Sequence, residues 1–228
     1  MKNKNIIAVQ NLIRRLDEKS LKNSEVVAYL VRAFGIVQWG PAVFGDDEKF
    51  KNSSLDMAGI YQTPDQIAKA LVYLTDFKIN HFLEVGTFQG GNFLFVSEYL
   101  RRFNPDIWCL TIDPTNYLNP EVQEIIDAED WLTFTPVNSD AMSWKQFDLV
   151  FIDGDHTSEW MEKDWNNVGR RAKICMIHDI QETTCPDIVA FWENLKMIEG
   201  RKMVEFLDYS SAIPLQGIGM VHDRDLKP

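Results

Sequence analysis

The sequence predicts an α/β fold, a mainly parallel sheet that ends in an antiparallel hairpin. Two observations carry this. Short apolar runs at 81–85, 107–112, 131–137, 147–152 and 172–177 alternate with amphipathic helical segments, the order expected of a parallel sheet with helices on both faces. The tail differs: strand-like runs at 202–209 and 216–222 are joined by a short Ser-Ala-Ile-Pro connection. That leaves no room for a crossover helix, so the two should pair as an antiparallel hairpin. The 228 residues, 45% of them hydrophobic, can bury one substantial core but fall short of two full domains. We expect a helical extension with a candidate lid over residues 1–60 and one α/β domain over 61–228.

Ile6, Val9, Ile13 and Leu16 fall at helical spacing, as do Val27, Leu30, Val31 and Phe34, so the first 35 residues read as two amphipathic helices. Such helices could mediate a homodimer. Residues 35–61 are rich in Gly, Asp, Lys, Asn and Ser yet carry Trp39, Pro41, Phe44 and Phe50. That mixture reads as an ordered loop, either a lid or a packing strap. Thr63-Pro64-Asp65-Gln66 combines an N-cap, proline at the first helical position and glutamine three residues after the cap, a helix start with a capping box. Further on, Met161, Trp165 and Val168 share one helical face and Ile188, Trp192 and Leu195 another, so both helices should cover the sheet. Trp160, Trp165 and Trp192 read as helix core, leaving Trp39 and Tyr61 as aromatic candidates for a binding pocket.

Composition excludes several classes. A formal net charge of −11 opposes phosphate neutralisation, so nucleic acid is not expected as a partner. The basic N-terminus is broken by Gln10, Asn11, Arg14 and Arg15 before a secretory core forms. No apolar run approaches the roughly 20 residues of a membrane span. Cys109, Cys175 and Cys185 show no paired metal spacing, which suits a reducing compartment. A cytoplasmic protein acting on a small molecule is the expectation.

The most informative stretch runs from His81 through Glu84, Gly86, Phe88 and Gly90 to Asn92. It is a buried strand, a glycine turn and the start of an apolar helix. Glycines let the backbone approach a ligand without a Cβ clash, and the helix start offers free amides. Asp113 lies 27 residues beyond Gly86, at the end of the next strand, where an acid can accept both ribose hydroxyls. The lesser alternative is a helix cap or turn residue before Pro114. The spacing lacks the full dinucleotide fingerprint.

Glu84-Val-Gly86-Thr-Phe88-Gln-Gly90 resembles the first motif of class I S-adenosylmethionine-dependent methyltransferases, in particular the metal-dependent O-methyltransferase branch. The similarity spans roughly residues 60 to 222. It implies a Rossmann-like seven-stranded sheet with an antiparallel last strand and S-adenosylmethionine as cofactor. By the same resemblance Glu84 would address the methionyl amino end, Asp113 the ribose, and Ser139 and Asp140 the adenine edge.

Two further strand ends carry chemistry. Asp153, Asp155 and His156 follow one strand, and His178 and Asp179 follow the next. Parallel neighbours bring such ends together, and carboxylates there can hold a divalent cation such as Mg2+ that eases ionisation of a substrate hydroxyl. The resemblance places metal ligands at Asp153, His178 and Asp179. An acid is usual where His178 stands, and histidine there could instead act as a base; the His-Asp pair looks more like the sugar and natural-product methyltransferases. His156, with Asp155 or Asp179 orienting its ring, is a second base candidate, since an imidazole pKa of about 6.5 suits proton transfer near neutrality; a helix-capping histidine reads as well. Asp153, His156 and His178 are thus the catalytic candidates, and His81 and His222 are expected to be structural. The expected function is methylation of a small hydroxylated acceptor such as a sugar, natural product or phenol. The alternatives are a nicotinamide-dependent oxidoreductase and a non-catalytic cofactor-binding module.

Overall fold

The computed structural model describes residues 4–35, 59–207 and 216–226. Trp39, most of the candidate lid and the connection after residue 207 lie outside the described residues. Seven strands form one sheet: β1 (His81–Val85), β2 (Trp108–Ile112), β3 (Leu132–Thr135), β4 (Leu149–Ile152), β5 (Ile174–His178), β6 (Arg201–Phe206) and β7 (Ile218–Asp223). Their order is β3-β2-β1-β4-β5-β7-β6. β1 to β5 pair in parallel, and β7 runs antiparallel between β5 and β6. This is the predicted Rossmann-like architecture with its hairpin. Strand ends moved by one to three residues: Ile107, Trp131, Phe147 and Ala172 stand before their strands, and β5 runs on to His178.

The winding reverses between β1 and β4, because the chain goes outward through β2 and β3 and then returns to the other side of β1. A crevice opens at the carboxyl ends of strands at such a switch point. The register makes it sharp. Val85 pairs with both Ile112 and Ile152, and Ile152 pairs with Ile177. Gly86, Asp113, Asp153 and His178 each follow one of these residues, so the chemistry-bearing residues leave the sheet from a single rung.

Alternation along the strands fills two cores. Phe82, Phe151 and Met176 face one side with Phe93 and Phe95 of the helix Gly91–Phe103. Leu83, Val150, Ile152 and Cys175 face the other, beneath Met161, Ile188 and Trp192. We number the helices α1 (Lys4–Arg15), α2 (Glu18–Leu21), α3 (Ser24–Phe34), α4 (Pro64–Leu74), α5 (Gly91–Phe103), α6 (Pro120–Ala128), α7 (Ser158–Asn167) and α8 (Pro186–Leu195).

The N-terminal region forms three helical segments where two were expected. Asp17 caps a single turn by accepting from the Ser20 amide at 2.8 Å, and Asn23 caps α3 through the Glu25 amide at 2.9 Å; these caps divide the apolar pattern. Ile6, Ile13, Val31 and Phe34 join the same core as Phe82 and Phe93. Arg14 clamps Glu98 of α5 with two bonds, of 2.7 and 2.8 Å.

The helix start at Pro64 is as predicted, but the capping box does not form. Thr63 makes no cap bond; its hydroxyl donates to Gln216 Oε1 at 2.7 Å, and Gln66 Oε1 accepts from the Gly217 amide at 3.0 Å. Both side chains stitch the start of α4 to the entry of β7, a tertiary use that overrides local capping.

Because the Glu98 side chain is 3% exposed, removing its partner strands a buried charge. Arg14→Ala is expected to lower the unfolding free energy by about 2 kcal/mol, below the usual range for buried pairs because Arg14 itself is half-exposed. Adding Glu98→Gln should restore much of it. Urea unfolding of the two variants measures this, and an unchanged midpoint in Arg14→Ala would show that α1 is not docked as described.

Candidate active site

The turn after β1 is held by backbone contact. Gly86 has φ +92°, and a Cβ there would lie 2.1 Å from the Asp153 carbonyl oxygen. Only glycine lets the two strand ends approach so closely. The Gly86 amide donates to Ile112 O at 2.9 Å and the Asp153 amide to Val85 O at 2.8 Å, so the ends of β1, β2 and β4 are tied into one platform. Gly90, also left-handed at φ +81°, caps α5, and a Cβ there would run into Leu118 and Val122. Phe88 sits between the glycines at φ +46°. It is 45% exposed, with its ring 5.0 Å from Tyr61 and 6.4 Å from Tyr117.

Above the platform lies a cavity of about 390 Å³ whose lining includes Gly86, Phe88, Asp113, Ser139, Asp153 and Trp160. Asp113 Oδ2 accepts from the amides of Thr87 and Phe88 at 3.1 and 3.2 Å, and its Oδ1 from Thr115 at 3.0 Å. The carboxylate therefore both shapes the glycine turn and lines the cavity. Ser139 donates to Asp164 Oδ1 at 2.6 Å; burial pushes the Asp164 carboxyl up to about 6, against the pull of that bond.

Not every expected residue reaches the cavity. Asp140 is exposed in the turn Ser139–Met142, and Asn138 takes the lining position beside Ser139. Glu84 lies beneath the platform, 1% exposed, accepting from Asn92 Nδ2 at 2.7 Å and Thr111 Oγ1 at 3.0 Å. Trp160 was expected in the helix core; it is half-buried and lines the cavity, because α7 begins at Ser158 and turns its first residues toward the strand ends. His222 is structural, with Nε2 2.8 Å from the Tyr73 hydroxyl.

Asp153 also belongs to a second group. His178 Nδ1 lies 2.9 Å from Asp153 Oδ1 and 3.2 Å from Asp179 Oδ1, yet neither approach has hydrogen-bond geometry, and both ring nitrogens of this buried histidine lack such a partner among the described residues. Burial alone would lower the His178 pKa; the charges of Asp153 and Asp179 outweigh it and hold the pKa well above the ordinary value. An imidazole and two carboxylate oxygens, within 4.8 Å of one another and not satisfied by mutual hydrogen bonds, form a donor set that fits a divalent cation.

Two features of this centre were not legible in the sequence. Gln62 Nε2 donates to Asp153 Oδ2 at 2.7 Å, with the glutamine 1% exposed, which turns the other oxygen, Oδ1, toward His178. Cys185 Sγ lies 3.3 Å from His156 Nδ1, while His156 Nε2 lies 3.3 Å from Asp179 Oδ2. Of the two acids considered as partners for His156, Asp179 faces its ring, whereas Asp155 accepts from the Thr157 amide at 2.9 Å.

Burial raises the Glu84 carboxyl from 4.5 to about 8, with hydrogen bonds from Asn92 and Thr111 opposing and the charges of Asp153 and Asp113 adding to the rise. A raised carboxyl binds its proton more tightly in the folded state. Its stabilising contribution is complete below pH 4.5 and is lost as pH climbs toward 8. Wild-type protein should therefore lose a few kcal/mol relative to Glu84→Gln between about pH 5 and 8. Denaturant unfolding across that range measures it, and parallel pH profiles for the two proteins would contradict the assignment.

Residues 83–180, from β1 to just beyond Asp179, match the family model described as a methyltransferase domain. No curated protein sequence matches the chain. Solved structures do match in fold. An O-methyltransferase from Bacillus cereus in complex with SAH aligns with TM-score 0.54 at 13% identity, covering 73% of this chain and 83% of its own. The O-methyltransferase TomG from Streptomyces achromogenes, involved in tomaymycin synthesis and solved with SAM, aligns with TM-score 0.52 at 14% identity over 72% and 81%. An rRNA methylase from Streptococcus thermophilus aligns with TM-score 0.53 at 7% identity over 69% and 96%. Residues 83–180 are thus similar to a methyltransferase domain, and the seven-stranded fold around them resembles that of the solved methyltransferases.

Proposed function

We propose that this protein transfers the methyl group of S-adenosylmethionine to the hydroxyl of a small acceptor, with a divalent cation assisting. One observation carries the reading: Asp153 lines the cavity beside Gly86 and Asp113 and stands 2.9 Å from His178. A single carboxylate thus joins the donor cavity to the candidate metal centre. The complexes with SAH and SAM among the similar structures support the choice of cofactor, and nothing in the comparisons favours a nicotinamide-dependent oxidoreductase.

When bound, the two groups supply an electrophilic sulfonium methyl and a Lewis acid that eases ionisation of the acceptor hydroxyl. The chain's task is alignment, where most of the rate gain of an in-line displacement arises. Asp113 accepts ribose hydroxyls with the lone pairs its three amide donors leave free. Phe88, Trp160 and Ser139 enclose the adenosine, and Glu84 holds the platform from below through Asn92 and Thr111. Asp153, His178 and Asp179 would hold the cation, with Gln62 fixing the Asp153 orientation. His178, set between Asp153 and Asp179, would be taken up in holding the cation and is not assigned as the proton acceptor. His156 is half-exposed at 45% and is assigned as the proton acceptor when its ring carries no cation. Residues 1–60 are assigned as an N-terminal extension to the α/β domain of residues 61–228.

Calorimetry with S-adenosylhomocysteine tests the cofactor. Asp113→Ala should weaken binding at least about tenfold, whereas Asp153→Asn should leave binding near the wild-type value and cut turnover by about 100-fold or more. Binding of NAD(H) in place of S-adenosylhomocysteine would overturn the reading. Undiminished methyl transfer by Asp153→Asn, or after chelation, would remove the metal-assisted mechanism.

A further inference from the structure

We propose that His156, Asp179 and Cys185 form a second cation site, selective for a borderline metal such as Zn2+, which shares the Asp179 carboxylate with the inner Asp153–His178–Asp179 centre. The geometry carries the proposal. His156 Nδ1 is 3.3 Å from Cys185 Sγ, His156 Nε2 is 3.3 Å from Asp179 Oδ2, and Cys185 Sγ is 3.6 Å from the same oxygen. With Zn–S of about 2.3 Å and Zn–N or Zn–O of about 2.0–2.1 Å, the ligand atoms of a tetrahedral site stand about 3.3–3.6 Å apart. One donor from each residue can be chosen so that all three lie within 4.8 Å of one another; the two 3.3 Å contacts use different ring nitrogens, so a bound cation requires the imidazole to turn one of them toward both partners.

The backbone supports the arrangement. Cys185 is the N-cap residue of α8, yet its side chain makes no cap bond; the thiol is directed at His156 and Asp179. Asp179 holds φ +60°, a left-handed conformation that costs free energy in a non-glycine residue and persists where a site requires it. That conformation presents Oδ1 to His178 and Oδ2 to His156 and Cys185, the disposition of a carboxylate bridging two cations. The donor types divide in the same way: two carboxylates and an imidazole inside, and a sulfur, an imidazole and one carboxylate oxygen outside. Sulfur selects the softer ion. On binding, the Cys185 proton leaves to solvent, and the thiolate, the carboxylate and Zn2+ sum to a neutral site. Three protein ligands leave a fourth position, on the side where His156 is exposed.

The site can be tested without donor or acceptor, so its failure is separable from that of the proposed function. The reduced full-length protein is titrated with Co2+ and then Zn2+. We expect a thiolate-to-cobalt charge-transfer band that Zn2+ displaces. Cys185→Ser should abolish the band and weaken Zn2+ binding more than about tenfold in competition with a chromophoric chelator. Asp153→Asn, which touches only the inner centre, should retain the band. His156→Ala, at a half-exposed position, provides the same expected loss should Cys185→Ser not fold. Absence of the band in wild-type protein, its persistence in Cys185→Ser or His156→Ala, or its loss in Asp153→Asn would each overturn a separate outer site.

Discussion

The approach of two backbones, Gly86 at the end of β1 and Asp153 at the end of β4, is the constraint on which the rest of the site depends. A methyl group at Gly86 would sit 2.1 Å from the Asp153 carbonyl oxygen, so the glycine is what allows the strands at the switch point to close on each other. From that contact the glycine turn lifts away toward Asp113, and the Asp153 side chain leaves toward His178. The donor cavity and the acid–imidazole centre are adjacent because one peptide crossing builds both.

Electrostatics then decide what each acid can do. Glu84, sealed beneath the platform and hydrogen-bonded by Asn92 and Thr111, is raised to about 8 and adds little charge near neutrality. Asp179 behaves in the opposite way. Burial would raise its pKa, but the neighbouring His178 charge holds it below the ordinary value. The concentration of negative charge thus falls where a cation or imidazolium can meet it, and the floor of the donor cavity is left nearly neutral. An overall formal charge of −11 adds to the attraction of a cation toward this edge of the sheet.

The fold was largely legible because its signals are local. The run 81–85 matches β1 residue for residue, and the tail hairpin follows from a connection too short for a helix. The strand-end residues Asp113, Asp153 and His178 could be expected at one edge because parallel topology and register place them there. What sequence could not show depends on contacts between distant segments. Gln62 reaches Asp153 across 91 positions, and no periodicity announces it. Thr63 and Gln66 have the pattern of a capping box but serve β7, because tertiary partners outcompete a local cap. Trp160 shares apolar character with core tryptophans, and only the start of α7 at Ser158 sets it at the cavity. Cys185 sits alone in sequence; Asp179 opens the same loop between β5 and α8, and His156 comes from the loop after β4.

In the proposed reaction the methyl donor and a metal-assisted acceptor meet at the Gly86–Asp153 crossing. The most direct measurement is paramagnetic relaxation of bound S-adenosylhomocysteine with Mn2+ added to the protein. Strong Mn2+-dependent broadening of the protons beside the ligand's sulfur is expected, abolished by Asp153→Asn while the ligand stays bound. Bound ligand whose protons are indifferent to Mn2+, or broadening that survives Asp153→Asn, would contradict it.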